Sequence, residues 1–164
     1  MTLLSLETIF QALSKADVRY LVVGGLAVNA HGYVRNTRDI DLVIGLEPEN
    51  IIRGLQTMES IGYQPAVPIK PEQFADSSLR EKWRIEKGML VLKLWSDTHA
   101  RTPVDVFVYE PFDFDSEWQS ALRFELAPGL TVPFIRLETL LEMKREAGRE
   151  QDLADIANLR KLNP

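Results

Sequence analysis

Apolar residues take helical spacing almost from the first residue: Leu6, Ile9, Phe10 and Leu13 share a stripe behind Ser5, a good helix cap, and Asp17 breaks the pattern. Val18 to Val23, apolar except for Arg19, predicts a buried strand. It ends in Gly24-Gly25, where the chain turns sharply into a short helix, Leu26 to Ala30, closing near Gly32. Ile40 to Ile44 predicts a second strand. Pro48 opens a helix whose stripe is Ile51, Leu55 and Met58 and whose end is Gly62. Prolines at 65, 68 and 71 make the stretch from Tyr63 to Gln73 irregular, and the charged segment Ser78 to Lys87 reads as a helix or a mobile flap. Met89 to Trp95 and the alternating Val104 to Val108 predict strands paired as a hairpin across a polar loop, Ser96 to Thr102. Phe124 to Leu126 and Leu130 to Val132, either side of Pro128-Gly129, predict a minor hairpin at the sheet edge. In the tail, Leu137, Leu140, Leu141 and Lys144 share a helical face. After Gly148, Leu153, Ile156, Ala157 and Leu159 form the apolar side of a last helix.

This order of elements predicts an α/β (α+β) fold: a mixed, twisted sheet with helices mainly on one face and a helical C-terminal tail. The 164 residues suit one domain spanning 1–164, with the sheet and its helices in 1–132 and the C-terminal helices in 133–164. A hydrophobic content of 45% supports an ordinary core. The 19 Lys and Arg against 24 Asp and Glu leave a net charge of -5, so no strongly basic surface advertises general nucleic-acid binding. Without cysteine there is no disulfide, thiolate zinc site or thiol nucleophile, and two histidines make a histidine-rich metal site improbable. The N-terminus lacks a basic flank, and no apolar run reaches the ~20 residues of a membrane span, so a cytoplasmic protein without membrane contact is expected.

Chemistry concentrates in two places. The exposed backbone N–H groups of a Gly24-Gly25 turn can cradle phosphate. Asp39 and Asp41 head the second strand, and residues two apart in a strand face the same way, so both carboxylates are presented together while Ile40 enters the core. Two like charges side by side repel unless a cation such as Mg²⁺ (or Mn²⁺) is shared between them. Asp105 lies inside another apolar run. Either it faces solvent on an edge strand, or it joins Asp39 and Asp41 so that three carboxylates hold one or two ions ready for a nucleoside triphosphate.

Thr37 and Arg38 contact phosphate or only shape their loop. Lys144 reaches into the cleft toward the triphosphate, or packs its stem and sends its amine to water. Arg149, Asp152 and Asp155 read as a surface ion network fixing the tail helix, Lys93 has no assigned side, and His31 reads as a helix-end residue satisfied by backbone. The three tryptophans are too scattered for a stacking platform. Gly24, Gly25 and Gly32 lack the Gly-x-Gly-x-x-Gly spacing of a dinucleotide site.

Gly24-Gly25, then Asp39-Ile40-Asp41, then a later strand aspartate resemble the nucleotidyltransferase superfamily of DNA polymerase beta. Arg35-Asn36-Thr37-Arg38 and the tail from Lys144 to Asp155 are similar to stand-alone bacterial nucleotidyltransferases of the AbiEii/AbiGii toxin type. The glycine pair is often Gly-Ser in that superfamily, and here it is Gly-Gly. The resemblance implies that Gly24 and Gly25 hold the triphosphate and that Asp39 and Asp41 hold metals. Asp105 then holds the metal beside the attacking hydroxyl, and pyrophosphate leaves. It further implies a tRNA end or a protein as acceptor and a cognate toxin or antitoxin partner. Small antibiotic-modifying nucleotidyltransferases share the arrangement, and a non-catalytic antitoxin-like binding partner is the second class of reading.

Overall fold

The capping chemistry of the sequence sets where each element begins. In the computed structural model, which describes residues Met1–Pro164, helix α1 (Leu3–Lys15) is capped by Thr2, whose hydroxyl accepts from the Ser5 N–H; Ser5 itself lies inside the first turn. Asp17, with φ of 55°, and the bond from the Val18 N–H to the Leu13 carbonyl close that helix, which delays strand β1 to Tyr20–Val23. Helix α2 (Gly24–Ala30) follows without a linker, then β2 (Ile40–Ile44) and α3 (Pro48–Ser60), the latter with proline in its first turn.

The stretch expected to be irregular holds a two-residue strand, β3 (Gln64–Pro65), and a short helix, α4 (Pro71–Ala75). The charged segment after it is a helix, α5 (Ser77–Lys87), because the Asp76 carboxylate caps the N–H groups of Ser78 and Leu79 and Gly88 ends it in a left-handed turn. Strands β4 (Val91–Trp95) and β5 (Val104–Phe107) pair as the expected antiparallel hairpin. Helix α6 (Phe114–Gln119) precedes the edge hairpin of β6 (Leu122–Ala127) and β7 (Leu130–Phe134). Helices α7 (Leu137–Ala147) and α8 (Glu150–Leu162) complete the chain, parted by Gly148 at φ 62°. No helix is long and apolar enough to cross a membrane.

The seven strands form one mixed sheet in the order β3-β4-β5-β2-β1-β7-β6, antiparallel except for the parallel pairs β1/β7 and β2/β5. Tyr20, Val22, Leu42, Val104 and Val106 face one side, where Phe10 of α1 stacks on Tyr20 at 5.8 Å and α3 lies beside α1. On the other side α2 packs on β1 and β2 and touches α7, while α6 holds the start of α7: buried Glu117 accepts from Arg136 and Thr139. This half-covered face leaves a cleft over β2, β5 and β4.

Helix α8 departs from its predicted apolar side. Leu153 and Ala157 are exposed, and the residues it buries are Asp152, Asp155 and Leu159, at i, i+3 and i+7. The network expected at the surface is therefore internal. Asp155 is fully buried; it accepts two 2.7 Å bonds from Arg35 and pairs with Lys144 at 2.9 Å. Asp152, also buried, lies 3.1 Å from Lys144 Nζ and accepts from Arg149 Nε at 2.7 Å. Burial pushes both carboxyls up, and the bonds from Arg149 and Lys144 to Asp152, and from Arg35, Lys144 and Gln151 to Asp155, outweigh it and hold both below the usual range. Two helices and the loop carrying Arg35 are joined by charge where an apolar face was expected.

Candidate active site

Strand register builds the site. Val23 of β1 stands opposite Asp41 of β2, Asp41 beside Asp105 of β5, and Asp105 opposite Lys93 of β4. Register partners point to the same side of a sheet, so this row crosses four strands on the face left open by the helices. Asp105 is thus on the same side as Asp41, not on a solvent-facing edge, and Lys93 projects from that same face beyond the cleft's lining. Its amine lies 3.0 Å from Asp105 Oδ1 as an ion pair without hydrogen-bond geometry, which leaves that buried oxygen with no hydrogen-bond partner.

The Asp41 carboxyl is pushed up to about 7, first by burial, then by the charges of Asp105 and Asp39, with Lys144 and Arg149 pulling the other way. Asp39 sits just ahead of β2 and is half-buried. The three aspartates do not form a ready-made cluster, and nowhere in the chain are three or more His, Asp or Glu side chains gathered so as to hold a metal. Asp105 is engaged by Lys93 instead. The donors nevertheless fit a divalent cation: hard carboxylate oxygens on adjacent strands, one of them buried with only the Lys93 ammonium beside it, in a pocket where the crowded acids hold Asp41 up and a cation would relieve them.

Gly24 is pressed against this pair. Its φ is +67°, and a Cβ built on it would lie 2.8 Å from Asp41 Cγ. The turn therefore excludes a side chain on conformation and on space together. A Gly24→Ala variant is expected to push the Asp41 carboxylate out of its row, lowering turnover about 10²-fold, as an ångström-scale misplacement does, and destabilising the chain by about 1–3 kcal/mol. Steady-state kinetics and thermal melts check both; turnover within twofold of native would show that Asp41 need not hold this position. At Gly25 a Cβ would lie 2.9 Å from Thr37 Cβ. Thr37 fills the space that a serine side chain would need, which explains Gly-Gly where the superfamily often has Gly-Ser.

A cleft of about 630 Å³ opens above the row. Gly24, Asp41 and Asp105 line it together with Lys144, Arg149 and Asp152 from the tail helices, and with an apolar wall that includes Leu90, Phe107, Tyr109 and Met143. Lys144 does reach the cleft. Its amine is already paired with Asp152 and Asp155, so the solvent-directed alternative does not hold. Arg149 also lines it, with its side chain largely exposed. Gly25, Thr37 and Arg38 are not part of the lining: Gly25 and Thr37 pack on each other just behind it, and Arg38 is exposed. His31 is bonded to backbone as expected, through Nε2 and the Ile135 carbonyl at 2.7 Å. The sequence reading missed the apolar wall and Asp152. The acids had a signal, since Asp152, Asp155 and Leu159 keep the spacing of a buried helical face.

Comparison with known proteins gives the family and the fold. The family model described as aminoglycoside-2''-adenylyltransferase matches residues 5–159. Among solved structures, the lincosamide antibiotic adenylyltransferase LnuA with lincomycin bound superposes with a TM-score of 0.63 at 19% identity, covering 96% of this chain and 95% of that one. A candidate nucleotidyltransferase from Thermotoga maritima gives 0.59 at 18% identity over 97% and 90% of the two chains. An antigenic nucleotidyltransferase-like protein from Paracoccidioides brasiliensis gives 0.55 at 19% over 98% and 76%. No curated protein matches. These findings support the superfamily and the fold, and none of them points to the AbiEii/AbiGii toxin type.

Proposed function

The chain belongs to the aminoglycoside-2''-adenylyltransferase family, and we propose that it transfers the nucleoside monophosphate of a nucleoside triphosphate, ATP by family, to a hydroxyl of a small antibiotic-like molecule. The observation that carries this reading is the row itself: Asp41 and Asp105 on paired strands, under a glycine turn, in a cleft of nucleotide size.

The turn at Gly24, with Gly25 just behind it, would offer backbone N–H to the triphosphate, and Lys144 and Arg149 on the facing wall would add cationic groups. Asp39, Asp41 and Asp105 would hold divalent ions, Mg²⁺ or Mn²⁺, which when bound neutralise the phosphates and acidify the acceptor hydroxyl. Asp105 would take the proton of the acceptor hydroxyl as that oxygen bonds to the α-phosphorus. The bond from the α-phosphorus to the bridging oxygen breaks, and pyrophosphate leaves. Lys93, paired with Asp105, steadies the carboxylate before the reactants bind. Thr37 would act at a distance, by supporting the glycine turn.

Acceptor identity is tested by incubating the chain and Mg²⁺ with each of the four triphosphates, labelled at the α-phosphate. The acceptors are a panel of aminoglycosides and lincomycin, total tRNA, and the protein itself. Label moving from ATP to one of the small hydroxylated compounds, and lost in Asp105→Asn, is the expected result. Label confined to tRNA or to protein would replace the small-molecule acceptor with the macromolecular one expected from the toxin-type resemblance.

A further inference from the structure

The two edges of the sheet are finished differently. At one end β3 is two residues long and contains Pro65, which removes a donor and blunts the edge. At the other end β6 runs six residues, Leu122–Ala127, contains no proline, and is paired only on its β7 side. It also exposes large apolar groups, Leu122 at 36% and Phe124 at 46%. Such an edge is a template for another strand.

Its sequence says which strand. Leu122 and Phe124 alternate with Arg123 and Glu125, so the two charges share one face and the apolar residues the other. A second copy of β6 laid antiparallel about a two-fold axis at Phe124 sets Arg123 opposite the partner subunit's Glu125. It also sets each Phe124 opposite the partner's Phe124; the register shift between Glu125 and Ala127 confines the regular part of the edge to Leu122–Glu125. Each charge then meets its opposite, in two symmetry-related pairs, and phenylalanine meets phenylalanine on the apolar face. A parallel copy in register would set Arg123 against an arginine. Both charged side chains are already held at the strand: Arg123 donates to the Trp118 carbonyl at 2.9 Å and lies over the Trp118 ring at 4.7 Å, and Glu125 accepts from the Gly129 N–H at 3.3 Å. A guanidinium with five donors and a carboxylate with several acceptor sites keep capacity for a partner.

We propose that β6 is a self-complementary dimerisation edge that joins two chains of this protein into one continuous sheet through Arg123, Phe124 and Glu125. A contact of one strand is small, so the dimer forms at micromolar or higher concentration. Sedimentation equilibrium over about 1–300 µM, a range matched to so small an interface, should show the weight-average mass rise toward that of two chains. Arg123→Glu and Glu125→Arg each place like charges opposite one another, and each should weaken association at least tenfold, with the circular dichroism spectrum and melting temperature close to native. The double variant R123E/E125R restores both pairs in exchanged positions and should restore dimerisation. A monomer at every concentration, single reversals that dimerise like the native chain, or a double variant no better than the single ones would each overturn the proposal. Active-site activity does not enter this test, since β6 is three strands away from β2.

Discussion

An Asp41→Asn variant loses nucleotidyl transfer by about 10²–10³-fold or more, the range seen when one preorganised electrostatic partner is removed, and its metal-free form melts above the native chain. The two effects have one cause. Asp41 is held half-buried next to two other acids, and its carboxyl is pushed up to about 7, so at pH 8 the folded chain confines a charge that the unfolded chain would leave in water. The unfolded group ionises near 3.8, and the folded one only near 7. The penalty is therefore absent below pH 4, grows as pH rises from 4 to 7, and is complete above it. Asparagine keeps the shape and removes the charge, and a gain of a few degrees at pH 8 that vanishes toward pH 4 is expected. Mg²⁺ should raise the native melting temperature by occupying the same negative site and should have little effect on the variant. Calorimetry at pH 4 and 8, with and without Mg²⁺, alongside pyrophosphate release, reads all of this. A variant that melts lower than native at pH 8 would mean that the carboxylate is a structural anchor.

The opposite behaviour is expected at Asp155. Removing it by Asp155→Ala leaves Arg35 without its two-bond partner and Lys144, itself buried, with Asp152 alone. Breaking one side of a buried pair costs about 3–5 kcal/mol, because the charge left behind cannot return to water. In a chain of this size that is a fall of roughly 6–20 °C. Both Asp152 and Asp155 are held below the ordinary value, so their contribution is fully present above about pH 4, their unfolded range, and is lost as pH falls through the folded values. Native stability should drop in acid below that point, and Asp155→Ala, having already lost half of the arrangement, should drop less. A melting temperature within 2 °C of native, a shift of roughly 1 kcal/mol or less, would show that water screens this network after all.

The contrast between these residues explains what could be read in advance. The strands were legible because period-two alternation fixes which face a side chain takes: Asp41 and Asp105 interrupt apolar runs at positions where the pattern itself reports direction, and they share one face of the sheet, while Asp39 stands just ahead of β2. Pairing of β4 with β5, and of β6 with β7, followed from short polar or Pro-Gly connections. Helix α8 was misread because its buried face is charged. Hydrophobic periodicity sees only apolar stripes, and Asp152 and Asp155 satisfy burial through Lys144, Arg35 and Arg149, partners near and far in sequence that no local pattern connects. Helices α4 and α6 are short and were hidden for a different reason, since five or six residues give too few turns for a stripe to repeat. Approach of Phe107, Tyr109 and Met143 to the cleft is a tertiary fact, and so is the contact of Thr37 with Gly25 that explains the absent serine.

Val23, Asp41, Asp105 and Lys93 come from four strands that meet only when every ladder is in step. A slip of one residue in β2 would turn Asp41 into the hydrophobic interior and bring Leu42 to the cleft. Specific activity is therefore a count of correctly assembled molecules: a preparation that is compact and rich in sheet yet misaligned by a single step is catalytically silent. Refolding yield measured by turnover should then trail the yield measured by secondary-structure signal whenever such trapped species accumulate.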